Sequence, residues 1–511
     1  MWTTSLRGQA LQRLLAIVCA VAFLEQGYDQ GIMNGLLTLD TFLETLPQLN
    51  TLTTKGLQQA HNANIQGITV AIYEVGCAFG ALSSFIINDT FGRPRSIMLS
   101  SCVVIIGVII QACTYSLGQM IVGRVITGLG VGLWTATIPM YISETAEAKQ
   151  RGPFVLLEGV FALSGIVLAS WINFGFYYVK GPVNWRFPIA FQLIFAIFML
   201  VASLLLPESP RWLIKKDRME EATIIIAQLM GVDHDEFAVS REAAIIRTGI
   251  ISDEPSHGVS SSVFAINRNR HFHRSVLAVS TTLITQMTGI NIIPFYSNVI
   301  LQSTLGYSGS IARIISGCLQ IMLVLGAIVG CVLVERVGRR KLMLFSTAAM
   351  VVCQAAVSGL SSNLANHVSA KFALFFYFLA LFTLPIGMFM IPFMYASEIA
   401  PVAMRQKYAG MAAASSWFFN FLVAEITPVG LSSISWRYYI IYSVCSAMGF
   451  IAIYLFYPET KGRSLEQIDL VFRQSKSVFD TVKLASEPPV DIQALDESEK
   501  HENAVQEFKA L

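Results

Sequence analysis

The sequence predicts an all-α membrane protein of twelve transmembrane helices, folded as two six-helix bundles related by a parallel repeat. Three observations carry that prediction. Of 511 residues, 54% are apolar and 13% charged, with a mean hydropathy of +0.58, too apolar for a soluble globular chain. Twelve segments reach the length of about 20 mostly apolar residues that crosses a bilayer. Motifs at the ends of these segments then recur at intervals near 250 residues.

The spans, in order, are expected over 14–37, 65–87, 96–115, 119–141, 154–177 and 186–206, then over 275–302, 309–334, 341–361, 370–395, 408–430 and 437–457. Residues 14–24 have the apolar character of a signal-peptide core. No small-residue cleavage site follows, however, and the run continues through Asp29 to Leu37, so it reads as span 1. The first bundle is then 1–206 and the second 274–457. Between them, 207–273 is a polar linker with an amphipathic helix expected over 210–230, where Trp212, Leu213, Ile224, Ile225 and Leu229 alternate with Lys215, Lys216, Arg218 and Glu220. A Ser-rich stretch over 258–262 reads as a flexible linker. The tail, 458–511, turns acidic and poor in aromatics, so disorder is expected from about Ser486.

Placing the termini and the even-to-odd loops on one side gathers 28 of the 35 Lys and Arg residues there, against six opposite and Arg124 within a span. The positive-inside rule makes that side, with both termini, cytoplasmic. The sequon Asn88-Asp89-Thr90 falls on the same side and is read as unused.

The repeat is explicit. Asp89-Thr90-Phe91-Gly92-Arg93 after span 2 is echoed by Glu335-Arg336-Val337-Gly338-Arg339-Arg340 after span 8, the glycines 246 residues apart. Ser143-Glu144 with Arg151 returns as Ser397-Glu398 with Arg405, 254 residues on, and Pro207-Glu208-Ser209 as Pro458-Glu459-Thr460, 251 residues on. Duplicated halves of the same orientation place a substrate site midway across the membrane, between them.

Several function classes drop out. A net charge of +2, with its cations in short clusters, does not suit nucleic acid. The eight cysteines lie in or beside apolar runs without metal spacing, so neither a disulfide framework nor a metal site is expected. No nucleophile with a base and no phosphate loop is discernible, so neither an enzyme nor a cofactor is expected. Gly128-Leu129-Gly130-Val131-Gly132 imitates a nucleotide loop, but no strand precedes it, and Gly128 with Gly132 has the small-xxx-small spacing of close-packed membrane helices.

The residue out of place is Asp29, inside the apolar stretch 23–35. An acid at a helix centre costs about 2.5–3.5 kcal/mol to insert, so it marks either a proton or ion pathway or a structural pair with a buried base. The residues alone leave both open. Arg124, also within a span, stays charged and requires a counter-ion. Glu25 lies four residues before Asp29 on the same face, either as part of a proton path or facing a watered vestibule. Glu74, Glu158 and Glu425 are further intramembrane acids; Glu158 is either a substrate acceptor or part of a charge network.

Gly27-Tyr28-Asp29, Gly92-Arg93 and Gly338-Arg339, Pro207-Glu208-Ser209-Pro210-Arg211-Trp212, Gln286-Met287-Thr288-Gly289-Ile290-Asn291 and Pro458-Glu459-Thr460-Lys461-Gly462 together resemble the sugar porter family of the major facilitator superfamily, over about residues 27–469. Tyr73-Glu74-Val75-Gly76-Cys77, Leu157-Glu158-Gly159 and Trp171-Ile172-Asn173-Phe174-Gly175 are most similar to a fungal branch that includes the yeast glycerol-proton symporter and hexose and pentose carriers. The resemblance implies proton-coupled uptake of a hexose, pentose or polyol by alternating access, in a monomer of the plasma membrane. It makes Asp29 the proton-coupling acid and Arg124 its partner. It makes Gln286, Asn291, Tyr296, Phe393, Ser416, Trp417 and Asn420 the substrate wall, with Tyr296 at an outer gate. It makes Arg93, Glu144, Arg151, Glu208, Arg339, Glu398, Arg405 and Glu459 a cytoplasmic network that closes the halves when the carrier faces outward.

The chain also departs from the family. Thr285, Gly159, Leu323 and Ser416 stand where the family carries amides, and Phe393 where it carries Trp. Each lost amide removes up to two donors and an acceptor, so a sugar finds fewer partners. Export of a less polar fungal metabolite is the alternative this motivates. A non-transporting nutrient sensor fits less well, because the tail is short.

Overall fold

The computed structural model describes residues 6–145, 151–234, 236–253, 263–266, 269–363, 367–401 and 404–487, and among these the regular structure is helical. The apolar runs become span 1 (Gln9–Leu36), span 2 (Gly56–Phe91), span 3 (Arg93–Ala112), span 4 (Leu117–Thr145), span 5 (Arg151–Phe176), span 6 (Val183–Leu205), span 7 (His271–Ser303), span 8 (Gly309–Val337), span 9 (Arg339–Ser361), span 10 (Val368–Glu398), span 11 (Arg405–Ile434) and span 12 (Tyr438–Phe456). Spans 11 and 12 form one apolar run, turned at the 3-10 segment Ser435–Arg437, where Ser435 has φ +51°. Two further spans are broken. Span 7 stops at Met287 and restarts at Ile292, across Gly289 at φ +76°, and span 10 stops at Met388 and restarts at Ile391.

The linker differs from expectation. One amphipathic helix over 210–230 becomes two, Pro210–Lys215 and Met219–Met230, because Asp217 takes φ +57° and turns the chain. A third helix, Phe237–Asp253, follows without having announced itself in the sequence. The Ser-rich stretch 258–262 and the tail beyond 487 lie outside the described residues. Ahead of that point the tail is ordered as Leu465–Gln474, begun by a capping box at Ser464, and Val478–Leu484.

The repeat reappears in the contacts. In the first half the backbone amide of Arg93 donates to Glu208 (2.8 Å) and its guanidinium pairs with Glu144 (2.7 Å). In the second half the amide of Arg339 donates to Glu459 (3.0 Å) and its guanidinium pairs with Glu398 (2.9 Å). A tyrosine hydroxyl secures each cluster, Tyr141 to Pro207 O (2.5 Å) and Tyr395 to Pro458 O (3.0 Å). Gly92 and Gly338 open the following helices at φ +84° and +106°, and a Cβ on Gly92 would stand 2.1 Å from the Glu208 carboxylate. Within the first half, Gly128 and Gly132 bring span 4 onto the backbone of span 2 at Tyr73 and Cys77, as the small-residue spacing predicts. Span 1 lies equally close on span 5 through Gly27 against Ala162. Asn88 of the sequon is buried and accepts from Thr137 (3.0 Å), which leaves it no access to a glycan.

At the end of the bundle away from the termini, hydrogen bonds join the halves. Asn34 of span 1 donates to Ser297 (2.8 Å) and Ser316 (3.1 Å) and accepts from the amide of Asn298 (2.9 Å). Arg313 of span 8, 2% exposed, donates to Gly35 O (3.3 Å), Thr38 O (3.1 Å) and Thr38 Oγ1 (2.8 Å), and lies over the Tyr177 ring at 4.1 Å. Those carbonyls end span 1, where the helix dipole is negative, so the guanidinium both caps the helix and is offset by it. This end is shut.

Two outcomes follow from these contacts. Gly92→Ala, which forces a side chain into left-handed backbone and against Glu208, should cost about 1–3 kcal/mol, seen as a lower unfolding midpoint in detergent, whereas Gly118→Ala, with open space around it, should leave that midpoint unchanged. Arg313→Leu should unlatch the halves. Cysteines introduced at the Asn34 end should then label faster than in the parent, and equal labelling would refute the latch.

Candidate functional site

Span 1 brings Asp29 against span 4, and the guanidinium of Arg124 meets it with Nη1 2.8 Å from Oδ1, both side chains fully buried. Arg124 also donates to Val70 O of span 2 (2.9 Å) and lies 4.8 Å from the centroid of the Tyr73 ring. Asp29 Oδ2 and Arg124 Nε have no partner. The pair is therefore bound on one edge only. Both residues belong to the first half, so rocking of one half against the other does not by itself pull them apart; span 1 must also shift relative to span 4.

Two more carboxyls are close by. Glu25 is fully buried, neither oxygen has a hydrogen bond, and the charge nearest in effect is that of Asp29. It does not face a vestibule in this conformation. Glu74, 1% exposed, feels both Arg124 and Asp29, and the Asn420 amide of span 11 stands against it, although neither Glu74 oxygen completes a hydrogen bond of good geometry. Glu158 accepts a weak bond from Cys19 (3.6 Å) rather than joining an ion pair among the described residues. Glu425 is half-buried on span 11.

The expected substrate wall assembles at the break in span 7. Gln286 and Asn291 would point apart on a continuous helix, but the turn at Gly289 swings them together, and Asn291 donates to Gln286 Oε1 (2.8 Å). Gln286 donates to Ser416 (2.9 Å) and Asn291 to Asn420 (2.5 Å), which ties span 7 to span 11. Trp417 is buried beside them on span 11 and Phe393 half-buried on span 10. Tyr296 is buried, with its hydroxyl on Ala424 O (2.7 Å), also within the second half. Across the divide, a Cβ on Gly159 of span 5 would stand 2.1 Å from the Met390 sulfur of span 10. The amide missing at 159 thus has no room, and a thioether fills its place.

Of the eight residues expected to form one gate, six separate into two groups. Arg93, Glu144 and Glu208 cluster in the first half and Arg339, Glu398 and Glu459 in the second, so among the described residues each group braces its own half in this conformation. The hydrogen bonds that join the halves lie at the opposite end, and ion pairing here is satisfied locally. Burial pushes the Glu208 carboxyl above its usual range, against the pull of the Arg93 and Ser209 amides. Among the described residues Arg405 Nε and Nη2 have no partner, and the Arg151 side chain lies outside those residues. Sequence reading missed Asn34, Arg313, Tyr141 and Tyr395. Of these, Tyr141 and Tyr395 could have been found from the repeat, since they share its 254-residue offset.

Comparison with known proteins agrees with this architecture. The family described as "Sugar (and other) transporter" matches residues 15–472. The MFS-type transporter oryC of Aspergillus oryzae is 35% identical over 484 residues, covering 93% of this chain and 88% of that protein. Sugar transporter STL1 of Saccharomyces cerevisiae is 34% identical over 476 residues, covering 92% and 83%. Among solved structures, the proton:xylose symporter XylE bound to 6-bromo-6-deoxy-D-glucose superposes with a TM-score of 0.73 at 22% identity, over 91% of this chain and all of that one, a likeness of fold. The chain is an integral, multi-pass membrane protein and belongs to the sugar porter family of the major facilitator superfamily, a family of transporters rather than enzymes.

Proposed function

We propose that this carrier takes up a sugar or polyol together with a proton, by rocking its two halves around a site between spans 1, 2, 4, 7 and 11. The observation that carries the reading is the fully buried Asp29–Arg124 pair lying one helix away from the linked amides Asn420, Asn291 and Gln286. A buried guanidinium does not give up its proton, so the acid is the member of the pair that can take one up and release it. Protonation of Asp29 removes the charge that attracts Arg124 and frees span 1 to move. The amides supply donors and acceptors in a dry setting, where a hydroxylated solute can replace the bonds they make to one another. The sugar transporter named among the relatives supports this substrate class. The distribution of Lys and Arg supports a cytoplasmic position for both termini, and the family resemblance supports a monomer in the plasma membrane.

A second reading, export of a less polar metabolite, draws on Gly159, Leu323 and Met390, which make part of the wall apolar. Uptake of labelled glucose, xylose and glycerol in transporter-null yeast, with and without a protonophore, separates the two. Protonophore-sensitive accumulation supports uptake, and no accumulation of any of the three favours export.

Asp29→Asn should abolish accumulation against a gradient while downhill flux in proteoliposomes persists; continued accumulation would remove Asp29 from coupling. Gln286→Ala and Asn291→Ala should each weaken apparent affinity about twofold to tenfold, the value of about 0.5–1.5 kcal/mol for one hydrogen bond. Because the two amides bond each other, the double variant should lose less than the product of the single losses, as titrations of uptake rate would show.

A further inference from the structure

Glu74 has no part in the two clusters described above, yet it lies between them. Arg124 reaches span 2 at Val70 O and over the Tyr73 ring, the turn that precedes Glu74. On its other side, span 2 runs antiparallel to span 11, and two contacts fix the register: Gly67 packs on the backbone of Glu425, and Phe85 on Gly410. Residue 74 is two turns from Gly67 and, at about 100° per residue, on nearly the same face. That register sets it opposite Asn420, whose Oδ1 accepts from Asn291, which in turn bonds Gln286. A continuous line therefore runs from the ion pair of the first half, through Glu74, to the amides of the second.

We propose that Glu74 is the positioning residue that transmits the state of the Asp29–Arg124 pair to the substrate amides; the proposal rests on the proton-coupled reading above. With Asp29 ionised, Arg124 is held by Asp29 and the Glu74 carboxyl is left to Asn420. When Asp29 takes up the transported proton, Arg124 keeps its charge and loses its anion, and Glu74, one helical turn beyond the Val70 carbonyl that Arg124 already holds, is the acid placed to replace it. The exchange turns Glu74 from Asn420 toward Arg124, and Asn420 is released to bond a hydroxyl of the substrate. The proton enters from one side, resides on Asp29 and leaves to the other, and Glu74 changes partner without carrying it. The groups that face Glu74 are Arg124 of span 4, Asp29 of span 1, Asn420 of span 11, and Tyr73 and Cys77 of its own helix.

The link requires that protonation strengthen substrate binding, so the test reads KM against pH. Uptake of labelled glucose, xylose and glycerol is measured from acid to neutral pH for the parent, Glu74→Gln and Glu74→Asp, each normalised to carrier at the cell surface. In the parent, KM for the best-transported of the three should rise several-fold toward neutral pH. Glu74→Gln should flatten that dependence while downhill flux remains, and Glu74→Asp should restore part of it, a pattern that a purely structural role would not produce. If Glu74→Gln fails to reach the membrane, Asn420→Ala cuts the same link from the other end and should flatten the profile as well. A parent driven by protons whose KM–pH dependence survives in Glu74→Gln, or in Asn420→Ala, overturns this inference alone. A parent indifferent to a protonophore overturns the proton-coupled reading and this inference with it.

Discussion

The structure depends on one constraint, a guanidinium that cannot be neutralised at the centre of an apolar bundle. Arg124 stays charged, so every element around it is arranged to supply negative charge or an acceptor: Asp29 from span 1, a carbonyl and a ring face from span 2. Removing one member of such a pair leaves the other charge stranded, at a cost of about 3–5 kcal/mol. This makes the pair a poor ornament and a good lever. A proton arriving at Asp29 would remove the charge that offsets Arg124, a change of up to a few kcal/mol against the roughly 5–15 kcal/mol that holds a domain folded, and the helices that carry its partners are placed to respond.

The glycine contacts decide how far that response reaches. Span 1 is seated on span 5 with backbone against backbone, and span 2 on span 4 in the same way. Small residues allow helices to approach until their backbones touch, which suits sliding along the contact better than separation. Span 1 also carries Asn34, five residues beyond Asp29, into the latch between the halves. One helix therefore holds both the buried acid Asp29 and the bolt on the closed end, so a shift at the acid can reach the latch along a single helix.

Much of this was legible in the sequence, and the failures have identifiable causes. Span count and the paired ends of the repeat follow from apolar length and from motifs, which are local properties; the break in span 7 follows from Gly289. The pairing of Asp29 with Arg124 came from the resemblance, since two isolated charges do not state their partner. What the sequence did not reveal was tertiary. Asp217 at positive φ split the linker helix where composition was uniformly amphipathic. The gate residues are expected to bridge the halves when the carrier faces outward; in this conformation, shut at the other end, they pair within their own halves. Asn34 and Arg313 went unnoticed because a lone amide and a lone cation near helix ends look like surface residues until the facing helix is known.

Arg313 has one more consequence. It is a full positive charge held in a low-dielectric interface by carbonyls and an aromatic face. When the latch opens, that charge must shift along the membrane normal or become solvated, and a shift through the transmembrane field does electrical work. Moving one elementary charge across the whole field is worth about 2.3 kcal/mol per 100 mV, and a partial displacement a proportional share. To the extent that opening carries Arg313 along the membrane normal, membrane voltage enters the energy of opening through a residue outside the Asp29–Arg124 pair.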